Sequence, residues 1–295
     1  MLSGKLLFIE CLHTLIKVKF SITCFSGLIA FAFLFPLFSA AQGNLMITPR
    51  RVVFEGTKRS IDLNLANIGK DTATYAISLV QIRMKEDGGF ETITLPDPGQ
   101  NFADQNLRFF PRSVKLAPNE AQVVKVQLLR TNQLAPGEYR SHLYFRAVPK
   151  IKPLGEEETI RDTSTISVRI TPIFGITIPA IIRIGESNTK ITLSEMALDI
   201  AKDDPPALRL KFNRTGNFSA YGDLAVDHVS PQGIVTRVGA ANGIAVYTPN
   251  AARRFQFSLN KVPGVDFRSG KLLMVFSASS DIKPVKLAEA ELLLR

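Results

Sequence analysis

Beyond residue 42 the chain alternates apolar and polar residues with a period of two over most of its length. Such runs cover 46–54, 61–68, 75–84, 123–129 and 143–148, and a longer one covers 163–184. Successive side chains of a strand point to opposite faces, so this period marks strands with one buried face. Turn formers separate the runs: Gly69, Gly88-Gly89, Pro96-Asp97-Pro98-Gly99, Ala117-Pro118-Asn119 and Ala135-Pro136-Gly137. No stretch repeats its apolar residues at helical spacing for long enough to pack. Short strands at this spacing predict an all-β fold, an immunoglobulin-like sandwich of about seven strands.

A second β unit follows Gly185, with the polar Glu186-Ser187-Asn188 as linker. Its runs are 191–193, 208–212, 224–229, 234–238, 244–247, 255–259, 272–276 and 285–294, turned by Pro205-Pro206, Ser230-Pro231-Gln232-Gly233 and Pro263-Gly264. The expected domains are therefore residues 42–185 and 186–295, two β-sandwiches on a short linker with a cleft between them.

The stretch Thr163–Ile184 stands apart. Ile166, Val168 and Ile170 alternate with Ser167, Arg169 and Thr171, while Pro172 and Pro179 have no N–H to give to a ladder. The strand is therefore expected to be an edge, or bent, for part of its length. Two readings are open. Its apolar face packs into its own sandwich, or the strand is kept free to be lent to another protein, since an unpaired apolar edge invites pairing.

Residues 1–41 read as an export leader: Lys5, Lys17 and Lys19, an apolar run from Ile22 to Phe38, then Ser39-Ala40-Ala41 with cleavage expected after Ala41. Both cysteines, Cys11 and Cys24, fall within it, so the exported chain has no disulfide, thiolate nucleophile or thiolate metal ligand. The formal charge is +10; three leader lysines and Glu10 account for two of these charges, leaving +8. The lysines and arginines are scattered over alternate strand positions rather than gathered in a run, which argues against nucleic acid as a partner.

Catalytic chemistry is thinly represented. The exported chain holds two histidines, His142 and His228, far apart and without partners at metal-ligand spacing. There is no phosphate loop and no nucleophile elbow. No enzyme, cofactor or metal is expected. Asn213-Arg214-Thr215 and Asn217-Phe218-Ser219 fit the glycosylation acceptor pattern.

One polar feature does not fit a plain sandwich. Unbroken alternation through 46–54 puts Ile47, Pro49, Arg51 and Val53 on one face and Met46, Thr48, Arg50, Val52 and Phe54 on the other. Whichever face is inward, an arginine lies among apolar neighbours, which is unfavourable unless it reaches water or meets an anion. It either snorkels at the rim or waits for a carboxylate that fits its planar fork of donors.

Three runs together carry a resemblance: Thr48-Pro49-Arg50-Arg51-Val52-Val53-Phe54-Glu55-Gly56, then Val114-Lys115-Leu116-Ala117-Pro118-Asn119-Glu120, then Leu134-Ala135-Pro136-Gly137-Glu138-Tyr139-Arg140-Ser141-His142-Leu143. In order and pattern they resemble the periplasmic chaperones of chaperone–usher pilus systems, with wording nearer the alternative, or archaic, branch. The resemblance covers about Ile47 to Ile184 well and the second unit in general character. It implies two immunoglobulin-like domains set in an L, and a periplasmic location. It also implies a chaperone that lends a strand to pilus subunits and passes them to an outer-membrane usher, with self-association through the same strand an option. The family's cleft arginine, an anchor for a subunit carboxylate, falls on Arg51, and its donor residues on Ile166, Val168 and Ile170. The lysine that accompanies the arginine in the better-known branch has no counterpart in Phe174-Gly175-Ile176; Arg169 and Arg183 are the nearby cations. The rival reading is a secreted two-sandwich structural or adhesive surface module. The absence of tryptophan weakens its sugar-binding form.

Overall fold

Among the described residues, alternating β-branched and aromatic residues form strands along the predicted runs, and most of these strands bury one apolar face. The computed structural model describes residues 45–149, 173–201, 204–278 and 284–294. In the first sandwich the strands are β1 (Leu45–Thr48), β2 (Val52–Phe54), β3 (Ser60–Asn67), β4 (Ala73–Val80), β5 (Ile82–Met84), β6 (Phe90–Thr92), β7 (Leu107–Phe110), β8 (Ser113–Leu116), β9 (Ala121–Leu128), β10 (Gly137–Val148) and β11 (Gly175–Ile184). The second is built from β12 (Lys190–Asp199), β13 (Ala207–Thr215), β14 (Ala220–Val229), β15 (Val235–Val246), β16 (Ala252–Ser258), β17 (Lys271–Ala278) and β18 (Val285–Leu293). Both lie in one compact unit, Gly43–Arg295. The fold is all-β.

Sheets β1-β3-β9-β7 and β2-β11-β10-β4-β8 face each other in the first sandwich. Between them lie Phe54, Leu63, Leu65, Leu116, Leu143 and Phe145, all but inaccessible to water. Sheets β12-β13-β16 and β15-β14-β17-β18 enclose the second core, where the Phe212 and Phe276 rings meet edge to face at 5.0 Å. Gly185, at a φ of 85° that disfavours a side chain, turns the chain from β11 towards β12.

Two runs break where the sequence reads them as continuous. The first strand does not alternate through 46–54. It pairs with β3 as far as Thr48, passes through Pro49, and resumes as β2 beside β11 in the opposite sheet. Leu45 and Ile47 are buried from one sheet, Val52 and Phe54 from the other. The apolar phase therefore shifts by one residue across Pro49, because each half must face the same core from its own side. The run 75–84 likewise divides at Gln81. Its end, β5, leaves the sandwich to pair with β6 in a separate ribbon.

β11 is central for only part of its length. Ala180, Ile181 and Ile182 lie between β10 and β2, whereas Gly175–Pro179 pair with β10 and with no second strand among the described residues. The predicted donor residues Ile166, Val168 and Ile170 lie outside the described residues. Both glycosylation patterns are occupied internally: the Asn213 amide donates to Ser194 Oγ at 2.8 Å and the Asn217 amide to the Glu186 carbonyl at 2.8 Å. Ser219 is buried.

Candidate functional site: an arginine–tyrosine joint between the sandwiches

Residues opposite one another on paired strands share a face, and neighbours along a strand alternate. The ladders pair Val52, Val53 and Phe54 with Ala180, Ile181 and Ile182. They also pair Pro179, Ile181 and Arg183 with His142, Arg140 and Glu138. Val52, Phe54, Ala180 and Ile182 fill the first core. The alternate set, comprising Arg51, Val53, Ile181, Arg183, Glu138, Arg140 and His142, points away from that core. Most of it is nevertheless buried, because the second sandwich covers it. Met84, Ile181, Ala245 and Tyr247 form a small apolar cluster there, with Val53 against it.

Glu138 is the hub of the joint. Its carboxylate accepts hydrogen bonds from the Ser219 N–H at 2.9 Å, the Ser219 hydroxyl, the Thr248 hydroxyl at 3.3 Å and Arg183 Nε at 3.2 Å. Arg183 also donates to the Ser219 carbonyl at 2.9 Å and meets Glu55 at 3.5 Å. Arg214 donates to the carbonyls of Asn250, Gly216, Phe218 and Pro249 at 2.7 to 3.3 Å. The β5–β6 ribbon adds a brace: the Asn250 amide donates to the Met84 carbonyl at 2.7 Å, and the Arg254 N–H to the Glu86 carbonyl at 2.7 Å.

Two further arginines in the same joint are placed differently. Arg51 lies with its guanidinium 4.2 Å from the Tyr221 ring centroid and 5.9 Å from that of Tyr247. Arg140 stacks on Tyr247 at 4.1 Å. Nη1 of Arg51, and Nε and Nη1 of Arg140, are buried and meet no acceptor among the described residues. Burial lowers the pKa of both guanidiniums, and the charge of Arg51 adds to the effect on Arg140. Burial also raises Tyr247, which the two cations partly offset. His142 stands beside them, its ring 6.3 Å from those of Phe90 and Tyr247. Burial, followed by the Arg140 charge, brings its pKa down to about 3, so it is neutral at ordinary pH.

Cations with unused donors beside one saturated carboxylate make an electrostatic setting suited to an anion. A planar carboxylate matches the arginine fork. Among the described residues no three His, Cys, Asp or Glu side chains gather in a way that would hold a metal. No helix there is long and apolar enough to cross a membrane.

Arg51 is where the sequence placed a candidate anchor. Of the two cations weighed as substitutes for the missing lysine, Arg183 is committed to Glu138, and Arg169 lies outside the described residues. Arg140, Glu138 and Tyr247 were not anticipated as site residues. A signal was present in β10: Glu138, Arg140 and His142 occupy alternate positions, a polar stripe on a strand whose other face is apolar.

No family of known sequences matches the chain, and no curated protein does. Solved structures do align with it. The chain resembles several fimbrial chaperones. The YadV chaperone shares 12% identity at a TM-score of 0.42, over 85% of this chain and 100% of that one. The DraB chaperone of E. coli shares 12% at 0.40, over 85% and 96%. The CsuC–CsuE chaperone–tip subunit complex of archaic Csu pili from Acinetobacter baumannii shares 11% at 0.39, over 72% and 90%. Likeness at this level does not transfer a function.

Proposed function

We propose that this chain is a periplasmic pilus-assembly chaperone, exported with cleavage after Ala41. It holds subunits by lending them the strand segment carrying Ile166, Val168 and Ile170, and hands them to an outer-membrane usher. What supports the reading is the meeting of an open β-edge with an unneutralised arginine. Val52 pairs with Ala180 in parallel, so Arg51 stands level with Pro179, where the unpaired edge of β11 ends. A strand added along Gly175–Pro179 would form backbone hydrogen bonds with β11 and bring its terminal carboxylate to Arg51. Strand addition of this kind, of which chaperone–pilin complementation is a known instance, takes affinity from the main chain and specificity from alternate side chains.

The test is Val168→Asp. A charge entering a subunit's apolar groove is unfavourable by several kcal/mol, so co-purification of a pilus subunit should be lost while the variant melts as the parent does. A melting point lowered by tens of degrees would place Val168 in the first core and remove strand lending.

A further inference from the structure

We infer that the joint is a hinge closed by a clasp. The β5–β6 ribbon opens and closes on the second sandwich, while the Glu138 hub keeps the two sandwiches attached. This does not depend on the function proposed above.

Two bodies joined at one place can pivot, and a second attachment set apart from the first fixes their angle. The hub is the first attachment and sits at the covalent link. Arg183 stands two residues before Gly185 and donates to the Ser219 carbonyl, and the Asn217 amide holds the Glu186 carbonyl. Glu138 and Ser219 are 3% and 4% exposed. The ribbon is the second attachment. Among the described residues β5 and β6 pair only with each other. Arg83 roots them on the first sandwich, its fork holding Asp97 at 2.5 and 2.6 Å, and the Gln100 amide donates to the Ile82 carbonyl at 3.2 Å.

The ribbon's turn reaches β16, which ends its sheet. The Arg214 N–H donates to the Ala251 carbonyl and the Leu259 N–H to the Pro206 carbonyl, so odd positions along β16 bond to β13. Even positions then turn their backbone groups to the open edge. Arg254 is one of them, and the Glu86 carbonyl accepts its N–H at 2.7 Å. Gly88, at a φ of 84°, lies under the Arg253 guanidinium, where a Cβ would come within 2.8 Å of Nε. Arg253 is itself held by donating to the Ala245 carbonyl at 2.6 Å.

The clasp is weak where the hub is strong. Its ion pair, Arg254 with Glu86, is 66% and 52% exposed, and such a pair contributes little in water. Met84 is buried against Ala245 and Tyr247, but Lys85, Glu86 and Asp87 are exposed and Phe90 is 57% exposed. An element with few buried apolar contacts opens locally far more readily than the whole fold does.

Each attachment carries one backbone N–H whose acceptor lies across the joint: Arg254 on the Glu86 carbonyl, Ser219 on the Glu138 carboxylate. Residue-resolved amide hydrogen exchange on the whole exported chain therefore reads the two separately. The Arg254 amide should be at least about tenfold less protected than that of Ser219. Gly88→Val should speed exchange at Arg254 about tenfold, as the strain of one left-handed residue predicts, and leave Ser219 and the core residue Phe212 unchanged. Asn250→Ala, which removes only the bond to the Met84 carbonyl and keeps the ribbon's own sequence, should act the same way to a smaller degree. Equal protection of the two amides, or exchange that rises at both together, means that the joint opens as one piece and overturns the inference. So does an Arg254 amide that neither variant moves. The swing itself is read from spin labels on Lys125→Cys and Lys286→Cys, exposed positions on β9 and β18 of a chain that has no cysteine after Cys24. The distance distribution should broaden in both clasp variants. An unchanged distribution, with Arg254 exchange raised, would mean fraying of the ribbon without a hinge and would also overturn it.

Discussion

Two pairs of buried and half-buried arginines share the joint, and they are partnered in opposite ways. Arg183 and Arg214 have acceptors for their donors: the Glu138 carboxylate for the one, four backbone carbonyls for the other. Arg51 and Arg140 lie on tyrosine faces with buried nitrogens unused. Arg183 bridges the sandwiches, and Arg214 fastens the second sandwich's side of the joint. The second pair contributes cation–π contacts with Tyr221 and Tyr247 but leaves donors unused, as a group kept for a partner would. A buried ion pair is weak evidence for stability, yet breaking one is strongly unfavourable. An unpaired cation can be deleted with little loss.

The largest effect expected from that contrast is at Glu138. Glu138→Ala leaves Arg183 without its carboxylate and the Ser219 and Thr248 donors without an acceptor, a loss of about 3–5 kcal/mol. In a chain of this size that is a fall in Tm on the order of 10 °C, measurable by calorimetry. A change of a degree or two would mean the joint does not depend on this hub.

Arg51→Ala should do the reverse. The melt should stay near that of the parent, while subunit capture weakens by about 2–5 kcal/mol, as for a lost interfacial charge pair. Arg50, exposed one residue away, is the control, and Arg50→Ala should leave capture unchanged. If Arg51→Ala unfolds the chain, the division between building and waiting arginines fails.

The smallest effect sharpens the electrostatics. His142 has a folded pKa of about 3 against an ordinary 6.5, so between these values the unfolded chain binds the extra proton. Stability from this group is present above pH 6.5 and is lost as pH falls towards 3. Between pH 7 and pH 5 the loss should come to about 2 kcal/mol. His142→Gln should flatten the stability profile by that amount in denaturant titrations at the two pH values. An unchanged slope would mean that His142 is hydrated, and that the cations beside it are too.

The strand runs, their turns and the all-β class were legible in the sequence because a period of two needs only local side-chain alternation. The breaks at Pro49 and Gln81 were not, since both depend on which sheet a segment joins. Alternation is the same whether a strand stays in its sheet or crosses to the other.

The site divides in the same way. Arg51 could be singled out from sequence because a charge among apolar alternates conflicts with its neighbours in the chain itself. Arg140 carried no such conflict. On its own strand it alternates properly with Tyr139 and Ser141, and by local rules an outward arginine belongs in water. Only the docking of the second sandwich, through Tyr221, Tyr247 and Ser219, turned that outward face into an interior one. Local pattern determined which residues leave the first core. Tertiary packing decided that leaving it did not mean reaching solvent, because burial depends on what covers a face, and the covering residues lie some eighty or more positions further along the chain.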